Sequence, residues 1–193
     1  MNLLALELGA IIGICVAAVL VLAIIIWFIA SYNKFVSLRA HVEDAFSTID
    51  IYLKKRFDLI PNLVETVKGY AKHESETFRQ VTEARAQMGK ASTRAEIVEA
   101  DKALSRALYS FRRVTENYPE LKANTNFMDL QAQLRTIENE LVNARKYYNA
   151  CVRELNTKIL SFPSLIVARL FKFTASELFE IAPEERENIK VSF

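Results

Sequence analysis

Between Leu8 and Ala30 the chain runs for 23 residues without a charged side chain, reading LGAIIGICVAAVLVLAIIIWFIA. As a helix this stretch is about 35 Å long, enough to cross a hydrocarbon core of about 30 Å. Trp27 near its end and Tyr32 just beyond it fall where amphipathic rings favour the membrane interface. Everything after Ser31 is charged and polar-patterned. The expected organisation is therefore a transmembrane helix within residues 1–30, then one soluble domain.

A cleaved signal peptide would open on Lys or Arg, carry about 7–15 apolar residues and close on a small-x-small site. Here the only charge before residue 31 is Glu7, and Ile14 stands before Cys15, where a lipoprotein signal needs a small residue. Retention of the span is the expectation. Its N-terminal flank has no Lys or Arg, whereas Lys34, Arg39, Lys54, Lys55 and Arg56 follow it. The excess of positive charge places the N-terminus outside and the domain in the cytoplasm of a single-pass membrane protein. Cys15 in the span and Cys151 on a predicted core seam suit a reducing compartment and match no metal or redox spacing.

With Glu7 set aside, 25 basic residues face 22 acids, too even a balance to suggest a nucleic-acid partner. Four Gly and four Pro in 193 residues leave little turn material, so helices must be long. Periodicity agrees. Phe127, Leu130, Leu134, Ile137, Leu141, Ala144, Tyr148, Cys151, Leu155 and Ile159 advance by threes and fours and make one continuous seam. Phe35, Leu38, Val42, Phe46, Ile49 and Leu53 form a second stripe, and Ile97, Leu104, Leu108, Phe111 and Tyr118 a third. Leu63, Val67, Tyr70, Val81 and Met88 form a less regular fourth. Breaks fall near Pro61, at Gly89 to Thr93 and at Pro119. The predicted fold is all-α: a transmembrane helix, an antiparallel up-and-down four-helix bundle over residues 31–160, and an apolar C-terminal tail over 161–193.

No Gly or Pro occurs between Gly13 and Pro61, so span and first bundle helix are expected to form one rod of about 70 Å. Pro61 either starts a second helix or kinks a longer one; a turn is favoured, because four helices of similar length close a core better than three unequal ones. Tyr118-Pro119 marks a helix stop, and Asn124 or Thr125 is expected to cap the helix that follows. Asn33, Asn149 and Asn156 are expected to hydrogen-bond backbone where a helix meets another element.

Several local blocks carry a resemblance. Tyr32-Asn33 follows the span, Lys55-Arg56-Phe57-Asp58-Leu59-Ile60-Pro61-Asn62-Leu63-Val64 leads to Lys68-Gly69-Tyr70-Ala71-Lys72-His73-Glu74, and Ala84-Arg85-Ala86 comes next. Tyr118-Pro119-Glu120-Leu121-Lys122-Ala123-Asn124, Arg145-Lys146-Tyr147-Tyr148-Asn149, Asn156 and Phe162-Pro163 complete the set, and the sequence closes on Phe193. In this order, along the whole chain, the blocks resemble bacterial LemA family proteins. The resemblance implies a single N-terminal span and a four-helix bundle in a bacterial cell membrane.

Catalytic patterns are sparse. His73-Glu74 invites a zinc reading, but a metalloprotease helix needs a second His where Thr77 stands, and His41 has no ligand spacing with it. No phosphate loop, nucleophile elbow or cofactor motif occurs. The expectation is a non-enzyme with no cofactor, no metal and no evident small-molecule substrate.

Charged residues at or near the seams are more informative. Arg56 extends the series 49, 53, 56; Glu74 follows Tyr70 by four, and Arg85 follows Val81 by four. A charge at a bundle interface must find a partner or reach water. Glu74 is expected to pair with Arg85 or Arg145, and Arg56 with Asp58 or Glu138, specifying helix register; the alternative is that all fan out into solvent.

The tail is strongly apolar around Phe162, Leu165, Phe171 and Phe173, broken by Arg169 and Lys172. It is expected to pack on its own bundle or on a second subunit, with a bilayer contact as the other possibility. Ile189 to Phe193 reads as a docking tail. Three functions follow: a self-associating, homo-oligomeric scaffold at the membrane; an adaptor that binds another membrane protein through the bundle surface; and, least, a metal hydrolase using His73 and Glu74.

Overall fold

The computed structural model describes residues 2–71 and 74–179. They form five α-helices and no strand among the described residues: α1 (Asn2–Lys68), α2 (Ser75–Lys90), α3 (Arg94–Glu116), α4 (Thr125–Leu160) and α5 (Ser164–Leu170), with a short 3₁₀ turn (Pro119–Ala123) before α4. Helix α1 is long and apolar enough near the N-terminus to cross a membrane. Its residues from Ile11 to Ile29 are largely bare, as a lipid-facing surface would be.

The expected turn at Pro61 is absent, because α1 continues through it. A proline inside a helix removes the hydrogen bond to the carbonyl four residues earlier, here that of Phe57. Arg85 supplies the missing donor: its Nε donates to the Phe57 carbonyl at 3.1 Å, and its guanidinium lies over the Phe57 ring at 3.9 Å. Gly89, one turn further along α2, has no Cβ to press on that ring, which a Cβ would meet at 3.3 Å. The real break comes after Lys68, where Tyr70 and Ala71 both donate to the Val67 carbonyl. The fourth stripe is thus two pieces, with Leu63 and Val67 on α1 and Val81 and Met88 on α2.

The other boundaries follow local chemistry. Thr93 and Glu96 form a reciprocal capping box at the start of α3, with Glu96 also accepting from the Ser92 N–H at 2.8 Å. Asn124 Oδ1 accepts from the Phe127 N–H at 3.0 Å and caps α4. Asn33, by contrast, lies exposed inside α1 and not at an element end.

The chain divides into two compact units, residues 1–44 with 150–177 and residues 45–149 with 178–193. In the first, Phe35, Leu38, Val42, Val152, Leu155, Val167 and Ala168 are buried. Phe171 and Phe173 pack on the rings of Phe28, Tyr32 and Phe35, and Lys34 meets Glu154 at 3.1 Å. Helix α5 closes on a Schellman pattern, in which Phe173 donates to the Ala168 carbonyl and Lys172 to that of Arg169, with Lys172 at φ 57°. That turn redirects the chain so that Asn156 can take the Ser176 N–H and C=O with both ends of its amide, each at 2.9 Å.

The second unit buries a cluster built from Ile60, Leu63, Val64 and Val67 of α1, Phe78, Val81 and Ala84 of α2, Leu104, Leu108 and Phe111 of α3, and Phe127 of α4. Phe78 meets Phe111 edge-on, and Phe46 meets Tyr148 in the same way.

Candidate functional site

Three stripes in the second unit are interrupted by a charge at a position that should be apolar. Arg56 follows Leu53 on α1, Asp101 stands between Ile97 and Leu104 on α3, and Arg145 adjoins Ala144 on α4. All three are almost fully buried, at 2%, 2% and 4% exposure. One oxygen of Asp101 accepts from Arg56 and the other from Arg145, so a single carboxylate ties three helices. Arg56 Nη1 also donates to Ser105 Oγ at 3.2 Å, one turn further along α3. Beside the cluster the Arg145 guanidinium lies 5.1 Å from the Phe179 ring. Asn149 holds that residue's N–H at 2.7 Å and C=O at 3.0 Å.

Burying guanidinium and carboxylate costs several kcal/mol per ion, in order of magnitude, and is repaid only by good geometry. Both oxygens of Asp101 are engaged. The cluster penalises any helix register that leaves one of its members without the others.

Arg56 is buried, and its partner is Asp101, neither Asp58 nor Glu138. Asp58 instead pairs with Lys54 on the surface of the same helix. Arg145 joins the cluster through Asp101, and Arg85 serves the Phe57 carbonyl. Glu74 accepts from the Tyr118 hydroxyl at 3.3 Å, a partner other than either expected arginine. The partners of Arg56, Arg145, Arg85 and Glu74 differ for one reason: a long side chain reaches across helices to partners that linear spacing does not rank. Asp101 was legible, because 97, 101, 104 and 108 continue one stripe; a seam read through apolar residues alone passes over it.

A cleft of about 640 Å³ opens next to the cluster in this unit. Its apolar lining includes Leu63, Leu108, Phe111, Phe127 and Leu134, and its rim carries Arg106, Arg112, Arg135 and Lys146. The carboxylate of Glu138 lines the same cleft. The α4 seam is only half covered at Leu130, Leu134 and Ile137, of which Leu134 lines the cleft, whereas Leu141, Ala144 and Tyr148 beyond it are buried.

The six tail residues divide. Phe162, Arg169 and Lys172 are exposed, Leu165 and Phe173 half-buried, and Phe171 exposed on one side while packed on Tyr32 at 4.6 Å. His73 and the Ile189 to Phe193 tail lie outside the described residues. Among the described residues no three His, Cys, Asp or Glu side chains converge as a metal site. Cys151 is buried and reduced.

Residues 45–193 match the model of the LemA family. Protein LemA of Metamycoplasma hominis is 21% identical over a stretch covering 86% of this chain and 76% of that protein. Magnetosome protein MamQ 2 of Paramagnetospirillum magneticum is 22% identical, over 84% of this chain and 70% of its own length. Magnetosome protein MamQ of Magnetospirillum gryphiswaldense is 19% identical, over 88% and 72%. With the family model matched over most of its length, the chain belongs to the LemA family.

Proposed function

We propose that this protein is a non-enzymatic, self-associating scaffold: an antiparallel four-helix bundle tethered by α1 to the cytoplasmic face of a bacterial membrane. The observation that carries the reading is how the second unit uses its chemistry. Its most buried charges, Arg56, Asp101 and Arg145, bind one another and tie three helices into one body, although Arg56 and Arg145 also border the cleft. Contacts within that unit support the antiparallel course, since Phe46 meets Tyr148 while Arg56, further along α1, shares Asp101 with Arg145, earlier on α4. Lys34, Arg39, Lys54 and Lys55 after the span support the cytoplasmic side. Full-length protein in mild detergent should scatter light as a defined multiple of its 22.0 kDa mass. A monomer at all concentrations would overturn self-association.

A second reading, an adaptor for another membrane protein, is favoured by the basic cleft. Four cations against one carboxylate, Glu138, around an apolar floor suit an acidic, partly apolar segment of a partner. Reversing two rim charges, R112E with R135E, should then abolish partner capture from detergent extracts while leaving the particle mass unchanged. Unaltered capture would remove the cleft from the account.

A further inference from the structure

The first unit carries an apolar surface that its own packing does not use. Around the turn between α4 and α5, Ser164, Val167 and Ala168 face inward and are buried. Leu160, Phe162, Ile166 and Leu170 face outward, at 73%, 82%, 55% and 64% exposure. Such a patch on a soluble surface would be an aggregation hazard.

We propose that this hairpin is a second membrane contact, inserted into the leaflet from which the span emerges. The inference rests on reading α1 as the membrane span. Depth is the first argument. The Phe171 ring lies 5.8 Å from Phe28, inside the apolar stretch, and 4.6 Å from Tyr32 at its end. Phe173 sits one step outward, against Tyr32 and Phe35. From the Lys34–Glu154 pair, six residues of α4 running against α1 cover about 9 Å and bring Leu160 level with Phe28. The bare apolar residues thus lie at the height of the last turns of the span.

Backbone chemistry is the second, independent argument. A helix end turned towards lipid cannot leave its last carbonyls to water. Here Ser161 Oγ donates to the Thr157 carbonyl at 2.7 Å. Ser164 Oγ lies 2.8 Å from the Lys158 carbonyl and 2.9 Å from that of Ser161, placed to donate to either. Leu165 donates its N–H to the Ser161 carbonyl at 2.7 Å. The carbonyls of Thr157, Lys158, Ser161 and Pro163 are thus taken up within the turn. Arg169 and Lys172 are exposed next to the patch, suited to lipid phosphates.

The chain has one tryptophan, Trp27, which allows a direct test. Two single-tryptophan proteins are compared, the native chain and F162W in a W27F background. Both are full length, in phosphatidylcholine–phosphatidylglycerol vesicles whose acyl chains are brominated near the headgroups. Phe162 is not packed within the protein, so the change leaves packing intact, and L170W in the same background provides a second reporter. Insertion predicts blue-shifted emission from the F162W protein and quenching by the brominated lipid within about twofold of that at Trp27. Red-shifted emission quenched by aqueous iodide would overturn the proposal. So would blue-shifted emission untouched by either quencher, which would show the patch covered by protein, as between two copies. Loss of quenching at Trp27 itself would instead overturn the span, a different failure.

Discussion

The two units solve one problem, locking α1 and α4 to their neighbours, with different chemistry. In residues 45–149 with 178–193 the deepest side chains include two arginines and an aspartate, and the cluster selects which helix faces meet. In residues 1–44 with 150–177 the corresponding contacts are rings: Phe28, Tyr32 and Phe35 against Phe171 and Phe173. Ring stacking is tolerant of small slips, whereas a buried carboxylate with two cations is not. Both units use one further device, an asparagine of α4 whose amide grips the N–H and C=O of a residue outside any helix, Asn149 on Phe179 and Asn156 on Ser176. Uniqueness of packing is thus assigned to polar groups, and adhesion to apolar ones.

The largest effect should come from D101N, which leaves two buried guanidiniums facing a neutral amide. A loss of about 3–5 kcal/mol is expected, read from urea or thermal unfolding followed by circular dichroism. Replacing Arg56, Asp101 and Arg145 together by apolar residues should recover most of that loss. If the triple variant recovers and also keeps a single set of sharp amide resonances, the cluster adds no specificity and the contrast between the units collapses.

N156A removes two hydrogen bonds from the backbone of Ser176. About 1–3 kcal/mol of local stability should go, visible as faster hydrogen exchange at the Ser176 amide. Equal acceleration at Lys54 and other surface positions of α1 would show the clamp to be global.

At α3, T93A should cost about 1 kcal/mol. Hydrogen bonds from the Ser92 and Thr93 backbone hold the Glu96 carboxyl below the usual carboxylate range. A depressed folded value means the stabilisation is present above the unfolded value and lost as pH falls through the folded one. E96Q should therefore flatten that part of the acid limb, and an unchanged limb would remove the capping box from the pH dependence.

The smallest effect concerns the turn after α5. Lys172 occupies the left-handed region at φ 57°, where a side chain is strained. K172G should stabilise the first unit by up to about 1 kcal/mol. A destabilisation would show that the lysine side chain contributes more than its backbone strain costs.

Much of this was legible in linear form. The uncharged stretch, the stripes at 35–53 and 127–159, the capping at Thr93 and Asn124 and the stop at Pro119 all depend on residues within a few positions of one another. The course through Pro61 was not, because the donor that rescues the Phe57 carbonyl lies 28 residues away on α2. Nor were the partners of Arg56 and Glu74, which are set by reach across helices. The basic cleft was equally hidden, since Arg106, Arg112, Arg135 and Lys146 read singly as ordinary solvated charges.

By itself the sequence determined a helix long and apolar enough to cross a membrane, the all-helical class, the family and which face of each helix is apolar, since these depend on local hydropathy and spacing. The tertiary structure alone decided which buried charges share Asp101, that α1 passes Pro61 unbroken, and that Leu160, Phe162, Ile166 and Leu170 remain bare. The physical reason is range: hydrophobic burial is non-directional and shows as a periodic pattern, whereas a hydrogen bond or ion pair needs one partner at one distance.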